Sequence, residues 1–209
     1  MNNDLLSDVA KIAEFQQLME RFKHVEGWLN PVEGYLLYRL ARDADGPGAI
    51  VEIGSWMGLS TAWLAAGSKA AGRERVHAID VFDGGPMLKE LAVIRDEGTT
   101  YHRFAENLEG LGLFDYVEPM IAESSAAARQ WTKSAIRLLF IDGDHSYAAV
   151  RQDFDLWSPH VAVGGLIVLD DASEQYPGVV QLFNEAVADH QHWQPVVRAG
   201  KTQTICKIA

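Results

Sequence analysis

Five short apolar runs, Ala49–Ile53, Val76–Ile79, Val117–Ile121, Ile136–Ile141 and Val161–Leu169, recur between segments of helical periodicity. They do not alternate apolar with polar residues, so as strands they are expected to be buried on both faces, as in a parallel sheet covered by helices. That pattern predicts an α/β, doubly wound fold. Two later segments, Trp193–Arg198 and Thr202–Ile208, flank Ala199-Gly200-Lys201 and read as a hairpin at the sheet edge. Ahead of the first strand, Leu5, Val9, Ile12, Phe15, Leu18, Met19 and Phe22 recur at three- and four-residue steps between Asp4 and His24, the period of an amphipathic helix. A second helix is expected from Asn30, with Asn30 as cap, Pro31 at the first helical position and Glu33 completing a capping-box-like start. Residues 1–45 thus read as an N-terminal helical layer on a single domain spanning 1–209. The stretch 83–100, rich in glycine and charge, is a candidate lid.

Composition narrows the partners. The 29 acidic residues outnumber the 18 basic ones, for a net charge of −11, so nucleic-acid phosphates would repel the chain. No apolar run exceeds nine residues, which predicts no membrane span and a cytoplasmic protein. The single cysteine, Cys206, excludes an internal disulfide and any cysteine-cluster metal site. Self-association is left open.

In an open parallel sheet, ligands collect at the carboxyl ends of the strands. The first strand ends Val51-Glu52-Ile53-Gly54-Ser55-Trp56-Met57-Gly58-Leu59-Ser60, with glycines spaced G-x-x-x-G rather than G-x-G-x-x-G. A carboxylate at Glu52 would repel a pyrophosphate and attract a cationic ligand. S-adenosylmethionine, with a sulfonium and an ammonium and no phosphate, suits such a turn. Asp80, ending the second strand, can accept hydrogen bonds from ribose hydroxyls. An ordinary tight turn with solvated acids is the alternative. Trp28 and Trp56 are placed to line a pocket, whereas Trp63 and Trp157 are expected in the core.

The fourth and fifth strands end Ile141-Asp142-Gly143-Asp144-His145 and Leu169-Asp170-Asp171. If these strands are neighbours, Asp142, Asp170 and Asp171 bring three carboxylates together, a conflict that a hard divalent cation, Mg²⁺ first, would relieve. The competing reading makes Asp144 and Asp171 helix caps. His145 is suited to take a proton from a hydroxyl, with an apparent pKa below about 6.5 if a cation lies nearby.

The segments VEIGSWMGLST, HAIDVFDG and LLFIDGDHSYAAVRQDFDLWSPHVAVGGLIVLDDA resemble the class I S-adenosylmethionine-dependent methyltransferases, in particular small bacterial metal-dependent O-methyltransferases. The resemblance implies a Rossmann-like seven-stranded sheet of order 3-2-1-4-5-7-6 with the last strand antiparallel. It implies that Glu52, Gly54 and Ser60 surround the methionine part of the cofactor, that Asp80 holds the ribose, that Ala122, Glu123 and Ser124 face the adenine edge, and that Asp142, Asp170 and Asp171 fall on metal positions. Ser55 and Asp142 are further candidate cofactor contacts, and His145 and Asp142 the candidate catalytic residues. Catechol-type relatives carry Lys where this chain has His145 and Asn where it has Asp171. The Asp170-Asp171 pair is more similar to metal-dependent enzymes that methylate hydroxyls on sugars or other natural products, which implies an acceptor of that kind. A noncatalytic cofactor-binding module and a nicotinamide-dependent oxidoreductase are the competing readings.

Overall fold

The computed structural model describes residues 2–88, 90–132 and 135–209; Lys89, within the candidate lid, and the side chain of Leu5 lie outside that set. Seven strands form one sheet in the order β3-β2-β1-β4-β5-β7-β6. They are β1 (Ala49–Ile53), β2 (Val76–Asp80), β3 (Val117–Ile121), β4 (Ile136–Ile141), β5 (Val161–Leu169), β6 (Trp193–Ala199) and β7 (Thr202–Lys207). The first five pair in parallel, and β7 runs antiparallel to both β5 and β6. Nine helices of the described residues cover the sheet: α1 (Asn2–Phe22), α2 (Pro31–Asp43), α3 (Leu59–Ala70), α4 (Gly85–Leu88), α5 (Ala92–Glu97), α6 (Tyr101–Gly110), α7 (Ser124–Arg129), α8 (Tyr147–Trp157) and α9 (Pro177–Ala188).

Period-two side-chain direction divides the strands between two cores. Ile50, Ala78, Leu138, Phe140 and Val168 pack beneath α1, α2, α3 and α6 with Phe22, Leu37, Trp63 and Phe104. Val51, Ile53, Leu139, Ile141 and Ile167 pack beneath α7, α8 and α9 with Val150, Trp157 and Leu182. Burial on both faces holds at the sheet centre but not at its edges. Edge strand β3 is only partly covered after Val117, and β5 exposes Val163 to 68% where its register with β4 breaks between Ile136 and Leu138. The nine-residue apolar run is therefore a short contact at Val161, an irregular middle, and a buried strand from Leu166.

The N-terminal layer is fixed by caps and one buried charge. Asn30 Oδ1 accepts from Val32 N at 2.9 Å and Glu33 Oε2 accepts from Asn30 N at 2.9 Å, the reciprocal cap expected from the sequence. Arg137, inside the apolar run of β4, is 1% exposed; its guanidinium is taken up by Glu74 and by the carbonyls of Leu40 and Ala41 at the end of α2. The stretch 83–100 contains α4 and α5 rather than a bare loop, and α5 buries none of its described side chains. No helix among the described residues is long and apolar enough to cross a membrane.

Candidate active site

Three non-glycine residues adopt left-handed φ: Trp56 (+48°), Phe82 (+57°) and Asp171 (+56°). They follow β1, β2 and β5, so the strained backbone collects at the carboxyl ends of the strands, where sites that need fixed geometry are found. Gly54, at φ +84°, is why the β1 turn can lie against β4. A Cβ there would stand 2.2 Å from the carbonyl oxygen of Asp142.

Glu52 is fully buried beneath this turn, and its Oε2 accepts from the hydroxyls of Ser55, at 2.8 Å, and Thr61. Oε1 is buried with no hydrogen-bond partner among the described residues. Burial pushes the Glu52 carboxyl up to about 7, against the lowering effect of the neighbouring Ser60, Thr61 and Ser55. A carboxyl whose folded pKa exceeds its ordinary value stabilises the fold while protonated, and that stability is lost as pH rises from about 4.5 through about 7. The shift corresponds to roughly 3 kcal/mol. Glu52→Gln, neutral at every pH and still an acceptor, is expected to melt roughly 5–10 °C above the parent at pH 8 and level with it near pH 4.5. Thermal melts at the two pH values check this; a difference independent of pH would contradict it.

Asp80 does more than end β2. Its Oδ2 accepts from the backbone of Ser55 at 2.8 Å and Trp56 at 2.9 Å, and its Oδ1 from Phe82 N at 2.7 Å, so the carboxylate ties the β1 and β2 turns together. With two lone pairs per oxygen, Oδ2 is filled and Oδ1 keeps one for a hydroxyl. At the end of β3, Ser124 Oγ donates to Asp153 Oδ1 at 2.6 Å and accepts from Trp157 Nε1 at 2.9 Å, which pins the start of α7 to α8, while Glu123 is exposed.

At the ends of β4 and β5 the structure brings Asp142, His145, Asp170 and Asp171 together. His145 Nε2 lies 3.3 Å from Asp142 Oδ1, and Nδ1 lies 3.3 Å from Asp171 Oδ2, close enough for an ion pair but without hydrogen-bond geometry. Burial, then Asp170, push the Asp142 carboxyl up to about 8, with His145 opposing. Burial disfavours a charged His145 ring, but Asp142, Asp171 and Asp170 outweigh it and hold the ring above the usual histidine value. The lower value expected from the sequence presupposes a cation beside the ring; in the protein alone the ring faces Asp142 and Asp171, with Tyr176 edge-on at 4.5 Å between centroids. Asp144 accepts from Ser146 N at 2.7 Å in the turn before α8, but the cap of that helix is Ser146. Asp171 caps no helix, since α9 begins after Tyr176.

Asp170 is 3% exposed and its carboxylate is already engaged. Oδ1 accepts from the Thr202 hydroxyl and Oδ2 lies 3.4 Å from the ammonium of Lys201, which also pairs with Asp171 Oδ1. Sequence reasoning missed Lys201, Thr202 and Glu33. The antiparallel register, which the sequence pattern does not report, brings the first two in: Leu169 faces Gln203, so β7 delivers Thr202 and Lys201 opposite Asp170 and Asp171.

A turn stitched by a strand-end acid, set in a sheet of order 3-2-1-4-5-7-6, defines the class I S-adenosylmethionine-dependent methyltransferase architecture. The chain belongs to the family described as methyltransferase domain, whose sequence model matches residues 51–172, from β1 through β5. It is similar in fold to the O-methyltransferase NovP, with a TM-score of 0.69 and 18% identity over 86% of this chain and 81% of that one. The fold is also similar to the O-methyltransferase TomG from Streptomyces achromogenes, involved in tomaymycin synthesis and solved with S-adenosylmethionine bound, with a TM-score of 0.65 and 15% identity over 95% of this chain and 90% of that one. An uncharacterised protein of Acanthamoeba polyphaga mimivirus is 45% identical over 60 residues, 28% of this chain and 27% of that protein. The matched region thus spans about a quarter of that relative.

Proposed function

We propose that the protein transfers a methyl group from S-adenosylmethionine to a hydroxyl of a small molecule, a sugar or other natural product, with divalent-cation assistance. The observation that carries this reading is His145 held between Asp142 and Asp171 beside the glycine turn of β1.

The residues fit the cofactor: a turn without the dinucleotide glycine spacing, a buried carboxylate with an unpaired oxygen at Glu52 Oε1, and an acid at Asp80. S-adenosylmethionine supplies an electrophilic methyl group on a sulfonium. The acceptor oxygen forms the new bond to carbon, the sulfur–carbon bond breaks with its electron pair going to sulfur, and His145 takes the hydroxyl proton. Asp171, with Oδ2 3.3 Å from Nδ1, supplies negative charge that favours the imidazolium formed in that transfer. The residues also fit a divalent cation by charge, because with Asp142 ionised and His145 neutral, three carboxylates against the one Lys201 ammonium leave the cluster two positive charges short. Asp142 and Asp171 would hold the ion, which supplies a charge that lowers the pKa of a nearby hydroxyl. Donor atoms of Asp142, His145 and Asp171 lie within 4.8 Å of one another, which favours a second reading with His145 as a third ligand. An imidazole in the set shifts preference from Mg²⁺ toward Mn²⁺.

Calorimetry on the purified protein tests the cofactor assignment. S-adenosylhomocysteine is expected to bind and NAD not to bind. Asp80→Ala should weaken S-adenosylhomocysteine by about 1.5–3 kcal/mol, the range for hydrogen bonds to a charged group. Unchanged affinity in that variant, or tight NAD binding, would remove the assignment.

A further inference from the structure

The hairpin between β6 and β7 puts a lysine where the sequence pattern alone places only carboxylates. Lys201 keeps 26% of its side chain exposed, yet its ammonium pairs with both Asp170 and Asp171, and those carboxylates hold it in the charged form. Asp170 has no idle oxygen: one faces Thr202 and the other Lys201. Asp171 gives Oδ1 to Lys201 and turns Oδ2 to His145.

Lys201 is held from a third direction. Glu33, 1% exposed at the start of α2, uses Oε2 to cap its own helix and Oε1 to accept from Lys201 N at 2.9 Å. Gly200, at φ +55°, makes the approach possible, since a Cβ there would stand 2.3 Å from Glu33 Oε1. On the other side, Lys201 O accepts from Ala172 N at 2.8 Å, which ties the hairpin turn to the chain after Asp171. A buried carboxylate on the N-terminal layer thereby sets where the ammonium enters the acidic end of the sheet.

We infer that Lys201 is a built-in monovalent cation, fixed by Glu33, that competes with a divalent ion for the carboxylates of Asp170 and Asp171. The inference rests on the cation-assisted reading above and adds to it the residue that sets the affinity for the ion. Without the ammonium, the cluster gains a full negative charge and Asp170 and Asp171 each regain a free oxygen. Both changes favour a divalent cation.

Calorimetric titration with Mn²⁺ tests this without cofactor or acceptor. Lys201→Met is expected to bind Mn²⁺ at least tenfold more tightly than the parent, Lys201→Arg within about threefold of it, and the double variant Lys201→Met/Asp170→Asn again close to the parent. Thermal melts of each variant establish that it is folded. A merely structural lysine gives the opposite result, with weaker Mn²⁺ binding in Lys201→Met and no recovery in the double variant. Parent binding that is unchanged in folded Lys201→Met overturns the role of Lys201 alone. Binding by Lys201→Met but not by the parent supports that role and overturns cation assistance, and binding by neither overturns both.

Discussion

His145→Ala is expected to lower kcat for methyl transfer by about 10²–10⁴, the usual contribution of a positioned general base. His145→Gln, which fills the space and hydrogen-bonds but takes no proton at neutral pH, should be nearly as inactive. The base works only when neutral, so kcat should fall on acidification. Because Asp142, Asp171 and Asp170 outweigh burial, the His145 imidazole of metal-depleted protein, followed by NMR, should titrate above the ordinary histidine value of about 6.5. Added Mg²⁺ should move that titration down, and the acid limb of kcat with it, since a nearby dication disfavours the imidazolium. Near-normal kcat in the Gln variant, with the acid limb retained, would assign His145 away from proton transfer. Mn²⁺ affinity separates the remaining roles: a base leaves it close to the parent value, whereas loss of a ligand weakens it by tenfold or more.

Asp142→Asn is the second large effect. This carboxylate faces His145 Nε2, and of the three in the cluster it is the one Lys201 does not pair with. Removing its charge is expected to reduce kcat by roughly 10²–10³, comparable to loss of one preorganised electrostatic group. The fold should survive. Asp142 is pushed up to about 8 by burial and by Asp170, so ionising it costs stability, and the amide should raise the melting temperature above pH 8 while leaving it little changed near pH 4. Chelator should silence the parent, and Mg²⁺ or Mn²⁺ should restore it. Full activity of Asp142→Asn, or of the parent in chelator, would contradict the assignment.

The parts of the site that were legible before the structure share a local origin. Asp142 and His145 are three residues apart in one strand-end loop, so their meeting follows from chain geometry. The reciprocal cap at Asn30 and Glu33 is equally local. What the pattern concealed was the second half of Glu33's work: its other oxygen meets Lys201 N across 168 positions of sequence. Ser124 shows the same limit. Its place after β3 is readable, but its hydrogen bonds to Asp153 and Trp157 depend on how α8 packs against α7.

The sequence by itself determined the sheet. β1, β3, β4 and β5 occupy the expected residues because short, mainly apolar runs set between helical segments have few ways to be buried. It also determined that acids stand at the strand ends, since those residues follow the runs directly. Tertiary structure alone decided how the acids are used. The antiparallel register of β7 against β5 has no counterpart in the hydrophobic pattern, and that register brings Lys201 and Thr202 to Asp170 and Asp171. Charge compensation acts through space over a few ångströms, and no spacing along the chain reports which cation arrives from a distant hairpin.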